Sequence, residues 1–586
     1  MKALSYFTFL VFLLCCAVIV WGINKGFDFS DEGLYVLGFQ QGQEIFSSPT
    51  YFHLLFRKLF FFMELDIITL RVIRFIIYLS GSIFFSWGLL KWIEIHSKEI
   101  RLPTLLFFPF IAIGTFIGYS FGPQSLSYNH LSVILLLFSS GCLFLNFAYS
   151  EEKNKRIYFA SILMAVAGIL TGMEIFVRIT SGVILVLIYV LLILIHPKNK
   201  LNLILLLSGL LLTLLAYFIF IQPFSQYYNG IRNTVYLITS ENSHSASSVA
   251  TKIYDAGIAL FIMIIYSLLT SVIYIFIIKK HKLYNSLTTS LKSIVFFFYF
   301  ILFFFLATRL FARDFLGYKR GGYFLYLLVS FLSVHVVEIF SSTGIKGILL
   351  RISQERKKLP ILLFLFLCPF ILTFGTGNRV LLMTIFGVAF WFGAAAAIFN
   401  LYSLRKELMI FFISVSCSVG FFLLVHFFIF HPYRLESLVE QTETIPSLKR
   451  AANLMVDKKT KRFTEHVAAV LINNGFHEHD PIIGIYHLPG LIYLVGGLSP
   501  GGILWGDEVN QLFCKDLQLS KMNLSKIFFL IRDKHSLEFM DCLKTQGVDF
   551  FNYQKIGEAE SNSGEYPVTS IYAPVHFNSD SLNHKF

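Results

Sequence analysis

Apolar runs of about 20 residues recur from residue 4 to residue 430, each interrupted by a short polar loop. A run of that length is what an α-helix needs to cross the hydrocarbon core of a bilayer. In lipid the backbone must satisfy its own hydrogen bonds, so such runs are confined to helices. The pattern predicts a polytopic α-helical membrane protein of about 13 spans. They fall near 4–23, 68–93, 102–121, 130–149, 158–176, 181–196, 202–221, 257–278, 293–311, 322–340, 360–375, 380–400 and 408–430. Of 586 residues, 56% are hydrophobic and 14% charged, more apolar surface than a soluble domain can hide. After Pro432 the composition becomes that of soluble protein, which divides the chain into a membrane domain, 1–432, and a small domain, 433–586.

The net charge of +13 follows topology and does not point to a nucleic-acid partner. Lys and Arg fill alternate loops: Lys98 and Arg101; Lys153, Lys155 and Arg156; Lys198 and Lys200; Lys279, Lys280 and Lys282; Lys346 to Lys358; Arg405 and Lys406. This positive-inside pattern places the N-terminus in the cytoplasm. An odd number of spans then puts the loop 24–67 and the C-terminal domain outside. The first run has no small-x-small cleavage site just after it and reads as a retained helix. Short loops and an external tail suit a bacterial inner (plasma) membrane.

The first external loop carries Asp28, Asp31 and Glu32 within five residues, at a membrane surface where uncompensated carboxylates are costly. Tyr35, Val36 and Phe39, then Leu54, Leu55, Phe56 and Leu59, have helical spacing. They predict short amphipathic helices lying on the membrane, with a break at Ser47-Ser48-Pro49. Ser30 followed by acids also reads as a helix N-cap. His53, Arg57 and Lys58 follow among aromatics. Arg71 and Arg74, opening the second span, are expected to snorkel to the interface.

Later external segments offer Tyr128, Asn129 and His130, and then Glu174 and Arg178, whose spacing of four predicts an ion pair on one helix face. A long hydroxyl-rich loop follows from Gln222 to about Gly257. Beyond it come a basic loop holding Arg313, Asp314, Lys319 and Arg320, and Arg379 in a Gly-containing turn. The tail reads as a small α/β domain: a helix near 446–474, strands in DPIIGIYHLPG and KIFFLIR (526–532), a helix at Leu537–Thr545, and further strands in VDFFNY and TSIYAPV. Cys514 and Cys542 are its only cysteines, and an oxidising location would allow them to pair.

The residues of the first loop resemble a known family. An Asp-Glu pair (Asp31, Glu32) soon after the first span, Tyr35 shortly after it, the segment Pro49 to Leu55 and Arg71 opening the second span are similar to bacterial members of the glycosyltransferase C superfamily. The nearest branch is that of protein O-mannosyltransferases and aminoarabinose transferases. Arg178-Ile179-Thr180-Ser181 looks like that family's basic-x-small motif. The resemblance covers about the first 200 residues. It implies an inverting glycosyltransferase moving a sugar from a polyprenyl-phosphate donor to a lipid, glycan or protein acceptor on the outer face. Asp31 matches the catalytic acid position. The aminoarabinose-type Glu-Lys-Pro-Pro signature is absent. The resemblance allows a divalent metal, but Tyr128-Asn129-His130 stands where many members carry an acidic residue, a departure that counts against metal dependence.

The chemistry supports the same assignment of roles. An acceptor hydroxyl must lose a proton as it attacks, which casts Asp31 as general base with Asp28 in reserve and Glu32 orienting the base or a sugar hydroxyl. The departing phosphate needs cations: Arg57, Arg178 and Arg379, which can fork two oxygens, and Lys58. Tyr35, His53, Tyr128, Asn129 and His130 are the expected substrate contacts. Three other classes compete: a secondary transporter, an O-antigen ligase or polymerase-like enzyme, and a non-catalytic scaffold. A transporter would place its ionisable residues near mid-span; the candidates are Glu338, His335 and His426.

Overall fold

The structure is a computed structural model. It describes all residues except 42–49, 98–99, 152–156, 196–199, 241–245, 279–285, 289–290, 293, 296–318, 403–405, 501–513, 515–516, 521, 533–536, 562–566 and 576–586. Among the described residues, nine helices are long and apolar enough to cross a membrane, and three shorter apolar helices accompany them. In chain order the membrane domain runs α1 (Lys2–Gly22), α2 (Asp31–Gln41), α3 (Phe52–Leu59), α4 (Ile67–His96), α5 (Thr104–Tyr119), α6 (Tyr128–Glu151), α7 (Ile157–Val177), α8 (Ile179–Ile195), α9 (Lys200–Phe220), α10 (Phe224–Ser240) and α11 (Ala246–Ile273). It continues with α12 (Lys319–Gln354), α13 (Leu359–Ile371), α14 (Val380–Leu401) and α15 (Lys406–Leu424). The expected span 293–311 and the residues Arg313 and Asp314 lie almost wholly or wholly outside the described residues.

The bundle is a membrane-embedded one by its surface. Leu211, Leu212, Leu215, Ile219 and Phe220 of α9 stand exposed, whereas α6 is buried along nearly its whole length. At the bundle's centre α4 packs on α6. A Cβ at Gly88 would come within 2.5 Å of the Gly141 carbonyl oxygen, so these backbones meet without side chains between them. The start of α4 is set by Asp66, which accepts from Thr69 N at 2.6 Å.

The C-terminal domain has a two-stranded ribbon, β1 (Glu443–Thr444) with β2 (Met455–Val456), and a mixed sheet. The sheet comprises β3 (Ile482–Ile485), β4 (Phe528–Ile531), β5 (Tyr553–Glu560) and β6 (Val568–Pro574) in the order β3-β4-β6-β5. β3 and β4 are parallel and the other pairs antiparallel. Helices α16 (Lys458–Asn473), α17 (Pro489–Leu494) and α18 (Leu537–Thr545) complete it, and Cys514 is bonded to Cys542. The strand expected in VDFFNY begins only at Tyr553. Phe550–Asn552 is a 3-10 turn because Asp549 accepts from Phe551 N and caps it.

The first loop packs against the C-terminal domain. Met455 N donates to Asn24 O at 2.8 Å and Gly26 N donates to Met455 O at 2.7 Å, so the loop runs beside the small ribbon. α17 lies directly on α2: Gly490 N donates to Phe29 O at 2.7 Å, and residues 32–39 of α2 are all buried. An eleven-residue helix with apolar residues on more than one face is covered on one of them by the C-terminal domain.

Candidate functional site

The three acids of the first loop have three different fates. Asp28 is buried and holds the start of α2. Its Oδ1 accepts from Ser30 N (3.0 Å) and Ser30 Oγ (2.6 Å), and its Oδ2 from Asp31 N (2.9 Å) and Glu32 N (3.2 Å). Both oxygens are thereby committed to the free N–H groups of the helix start. Burial pushes the Asp28 carboxyl up to about 6, against the lowering effect of the Ser30 hydroxyl.

Glu32 is wholly buried and forked onto Arg71: Nε to Oε1 and Nη2 to Oε2, each at 2.9 Å. Ser125 Oγ adds a bond to Oε1 at 2.6 Å, bringing in the loop between α5 and α6. Arg71 spends its remaining donors on the carbonyls of Ile23, Lys25 and Gly26. Arg74 donates to the carbonyls of Pro123, Gln124 and Tyr119, with the Tyr119 ring 3.9 Å away. Neither arginine snorkels. Each is buried because loop carbonyls, folded back over the helix end, take the place of water.

Asp31 is the acid left over. Its Oδ2 accepts from Tyr433 Oη at 2.5 Å, and Arg434 Nη1 lies 3.5 Å from Oδ1. Arg434 Nη1 also donates to Ser30 Oγ at 2.5 Å. Asp31 Oδ1 has no hydrogen-bond donor among the described residues although it is buried. Tyr433 and Arg434 follow the last membrane helix, whose final turn, Val425–Phe430, widens to π geometry, a feature often found near functional sites. Arg434 has φ 54°, which a non-glycine residue adopts only where its surroundings hold it. The sequence reading missed both residues. Their available signal was an aromatic and a cation beside Pro432, at the membrane exit.

Tyr35, one helical turn beyond Asp31, joins this acid to a cation. Its ring meets that of Tyr128 edge-on at 6.0 Å, and the Arg178 guanidinium stands 5.1 Å from the Tyr128 ring centroid. The Tyr35 hydroxyl is held well above its ordinary range by burial first, then by Tyr128 and Asp31, with Arg178 opposing. Arg178 does not pair with Glu174. The helical spacing is kept, since Arg178 N donates to Glu174 O at 2.6 Å, but the guanidinium is drawn to partners outside its own helix: it donates to Asn129 Oδ1 and to the Leu372 carbonyl. Its Nε has no acceptor among the described residues.

The other expected site residues lie elsewhere. His130 is buried with both ring nitrogens occupied, Nδ1 at 2.7 Å from Ser127 Oγ and Nε2 at 3.0 Å from the Phe121 carbonyl. His53 is buried in α3, edge-on to Phe52, which also packs on Tyr35. Burial, with help from Arg57, pulls His53 down to about 3, so it is neutral. Arg57 and Lys58 line a cavity of about 1250 Å³ that Asp31 does not line. Arg379 stands exposed at the start of α14. Among the described residues, no three His, Cys, Asp or Glu side chains converge as a metal-holding set.

No family model, curated protein or solved structure matches this chain. The functional reading therefore rests on the residues themselves.

Proposed function

We propose that the protein is an inverting glycosyltransferase of the glycosyltransferase C type. It takes a sugar from a polyprenyl-phosphate carrier and transfers it to an acceptor at the outer face of the bacterial inner membrane. The observation that carries this reading is the state of Asp31. Of three neighbouring acids, two are consumed by the fold, and the third keeps a carboxylate oxygen without a hydrogen-bond donor, close to Tyr35, which in turn lies close to Arg178.

In this mechanism Asp31 takes the proton of the acceptor hydroxyl as its oxygen attacks the anomeric carbon. Tyr433 holds the other carboxylate oxygen and so orients the base. The bond to phosphate breaks on the opposite face of the sugar, which inverts the anomeric configuration. Arg178, with an unused Nε and its guanidinium fixed by Asn129 and Leu372, meets the departing phosphate as negative charge gathers on it. Glu32 and Asp28 act by positioning: they hold the helix start and the second loop that present Asp31 and Tyr128.

The test is turnover of radiolabelled polyprenyl-phosphate sugars by purified protein, wild type against Asp31→Asn. A positioned general base is worth about 10²- to 10⁴-fold, and a loss in that range is expected. Undiminished turnover by the variant removes Asp31 from the mechanism.

A further inference from the structure

The cavity of about 1250 Å³ lies at the far end of α2 from Asp31, about 15 Å along the helix. It is walled by the end of α2, by α3 and the turn after it, by the α9–α10 junction, and by the C-terminal domain. Its charges do not cancel. Four cations line it, Arg57, Lys58, Lys449 and Arg450, against Glu64, Asp66 and Glu478. Asp66 is spent on capping α4, and Glu478 is paired with Arg450 at 3.0 Å. Arg57 gives one bond, to Gln40 O at 2.8 Å. Among the described residues Lys58 and Lys449 form no hydrogen bond or ion pair, which leaves two ammonium groups facing one remaining acid, Glu64.

A second observation points to a ligand with donors of its own. Gln41 is 8% exposed and lines the cavity. Its Nε2 donates to Ser499 O at 2.9 Å, but its Oε1 has no partner among the described residues. A buried amide oxygen without a donor costs free energy that a bound hydroxyl would recover. Arg450 is already fixed for such a ligand, held by Gln40 Oε1, the Tyr493 carbonyl and Glu478. Free ammonium groups select an anion; an orphaned acceptor and the Tyr493 ring in the same wall select a hydroxyl-bearing ring.

We infer that this cavity is a binding site, separate from the Asp31 cluster, for an anionic saccharide: a sugar that carries a carboxylate or a phosphate. As a binding site it stands without the transferase reading; as the seat of the acceptor's charged sugar it rests on that reading.

The test is equilibrium binding to the full-length protein in phosphatidylcholine nanodiscs. Tetragalacturonate is the anionic probe and maltotetraose the neutral one. The expected result is saturable binding of tetragalacturonate, no binding of maltotetraose, and a Kd at least tenfold weaker in Lys58→Gln/Lys449→Gln. Both lysines are exposed and unbonded, so the variant retains the fold. Asp31→Asn binds tetragalacturonate like wild type, which separates this site from the transferase assignment. Repeating the titration in nanodiscs containing phosphatidylglycerol identifies the source: competition assigns the site to a lipid head group, and unchanged binding to a glycan. Absence of tetragalacturonate binding, equal binding of maltotetraose, or an unaltered Kd in the double variant overturns the inference.

Discussion

Tyr433 Oη donates to Asp31 Oδ2 across 2.5 Å, joining two residues 402 positions apart in the chain. Tyr433 itself is held above its ordinary range, by burial first and by Asp31 next, so it stays a donor throughout the working pH range. Tyr433→Phe removes the donor and leaves the ring in place. A hydrogen bond to a charged group is worth about 1.5–3 kcal/mol, so kcat/KM should fall about 10- to 100-fold at a temperature where the variant is still fully folded. Steady-state kinetics beside a thermal scan decide it: a variant as active as wild type removes Tyr433 from the mechanism.

Glu32 and Arg71 form the brace behind that site. Glu32→Gln leaves a guanidinium buried without its counter-charge, and such a break costs about 3–5 kcal/mol. Replacing both members, as in Glu32→Gln/Arg71→Met, removes the buried charge and should recover part of the loss. Unfolding of detergent-purified protein provides the measurement. Equal stability of wild type and Glu32→Gln would mean the fork is not a brace.

Gly33 meets Gly490 backbone to backbone. A Cβ at Gly33 would stand 2.2 Å from both Gly490 N and Cα. Alanine in a helix is ordinarily favoured over glycine by about 1 kcal/mol, and here the sign should reverse because α2 and α17 must part. Gly257 in α11 is the control, since nothing lies within 4 Å of its added Cβ. Limited proteolysis is expected to cut the C-terminal domain faster in Gly33→Ala and at the wild-type rate in Gly257→Ala. Identical digestion patterns for both variants would refute the close approach.

His53 and Asp28 make opposite contributions to the pH dependence of stability. The His53 imidazole is lowered from 6.5 to about 3 by burial, so its contribution is full above pH 6.5 and is lost as pH falls through 3. The Asp28 carboxyl is raised from 3.8 to about 6, so its contribution is full below pH 3.8 and is lost as pH rises through 6. The two oppose each other between pH 4 and 6. The difference in melting temperature between wild type and His53→Gln isolates one of them, and it should shrink steadily from pH 7 to pH 4. A difference independent of pH would place His53 in contact with water.

The apolar runs, the composition change after Pro432, and the elements β3, β4, β6 and α18 were legible because each depends on neighbours in sequence. Run length and alternation report directly on helix and strand. The same local reasoning failed where the chain turns back on itself. Glu174 and Arg178 are four apart and keep that helical spacing, but the Arg178 guanidinium is taken by Asn129 and the Leu372 carbonyl, partners distant in sequence. Arg71 and Arg74 looked like ordinary span-end cations until the carbonyls of residues 23–26 and 119–124 closed over them.

From its sequence alone this chain determines that it must bury long helices in a membrane, and that acids and arginines gather at their ends. Hydrophobic length and charge spacing are properties of short segments, and no later contact alters them. Which acid keeps a carboxylate oxygen without a hydrogen-bond donor was decided only by the tertiary structure. Asp28, Asp31 and Glu32 are chemically near-equivalent and almost adjacent. What distinguishes them is Arg71 on α4, Ser125 in the second loop and Tyr433 beyond the last membrane helix, partners that only the folded path brings within bonding distance.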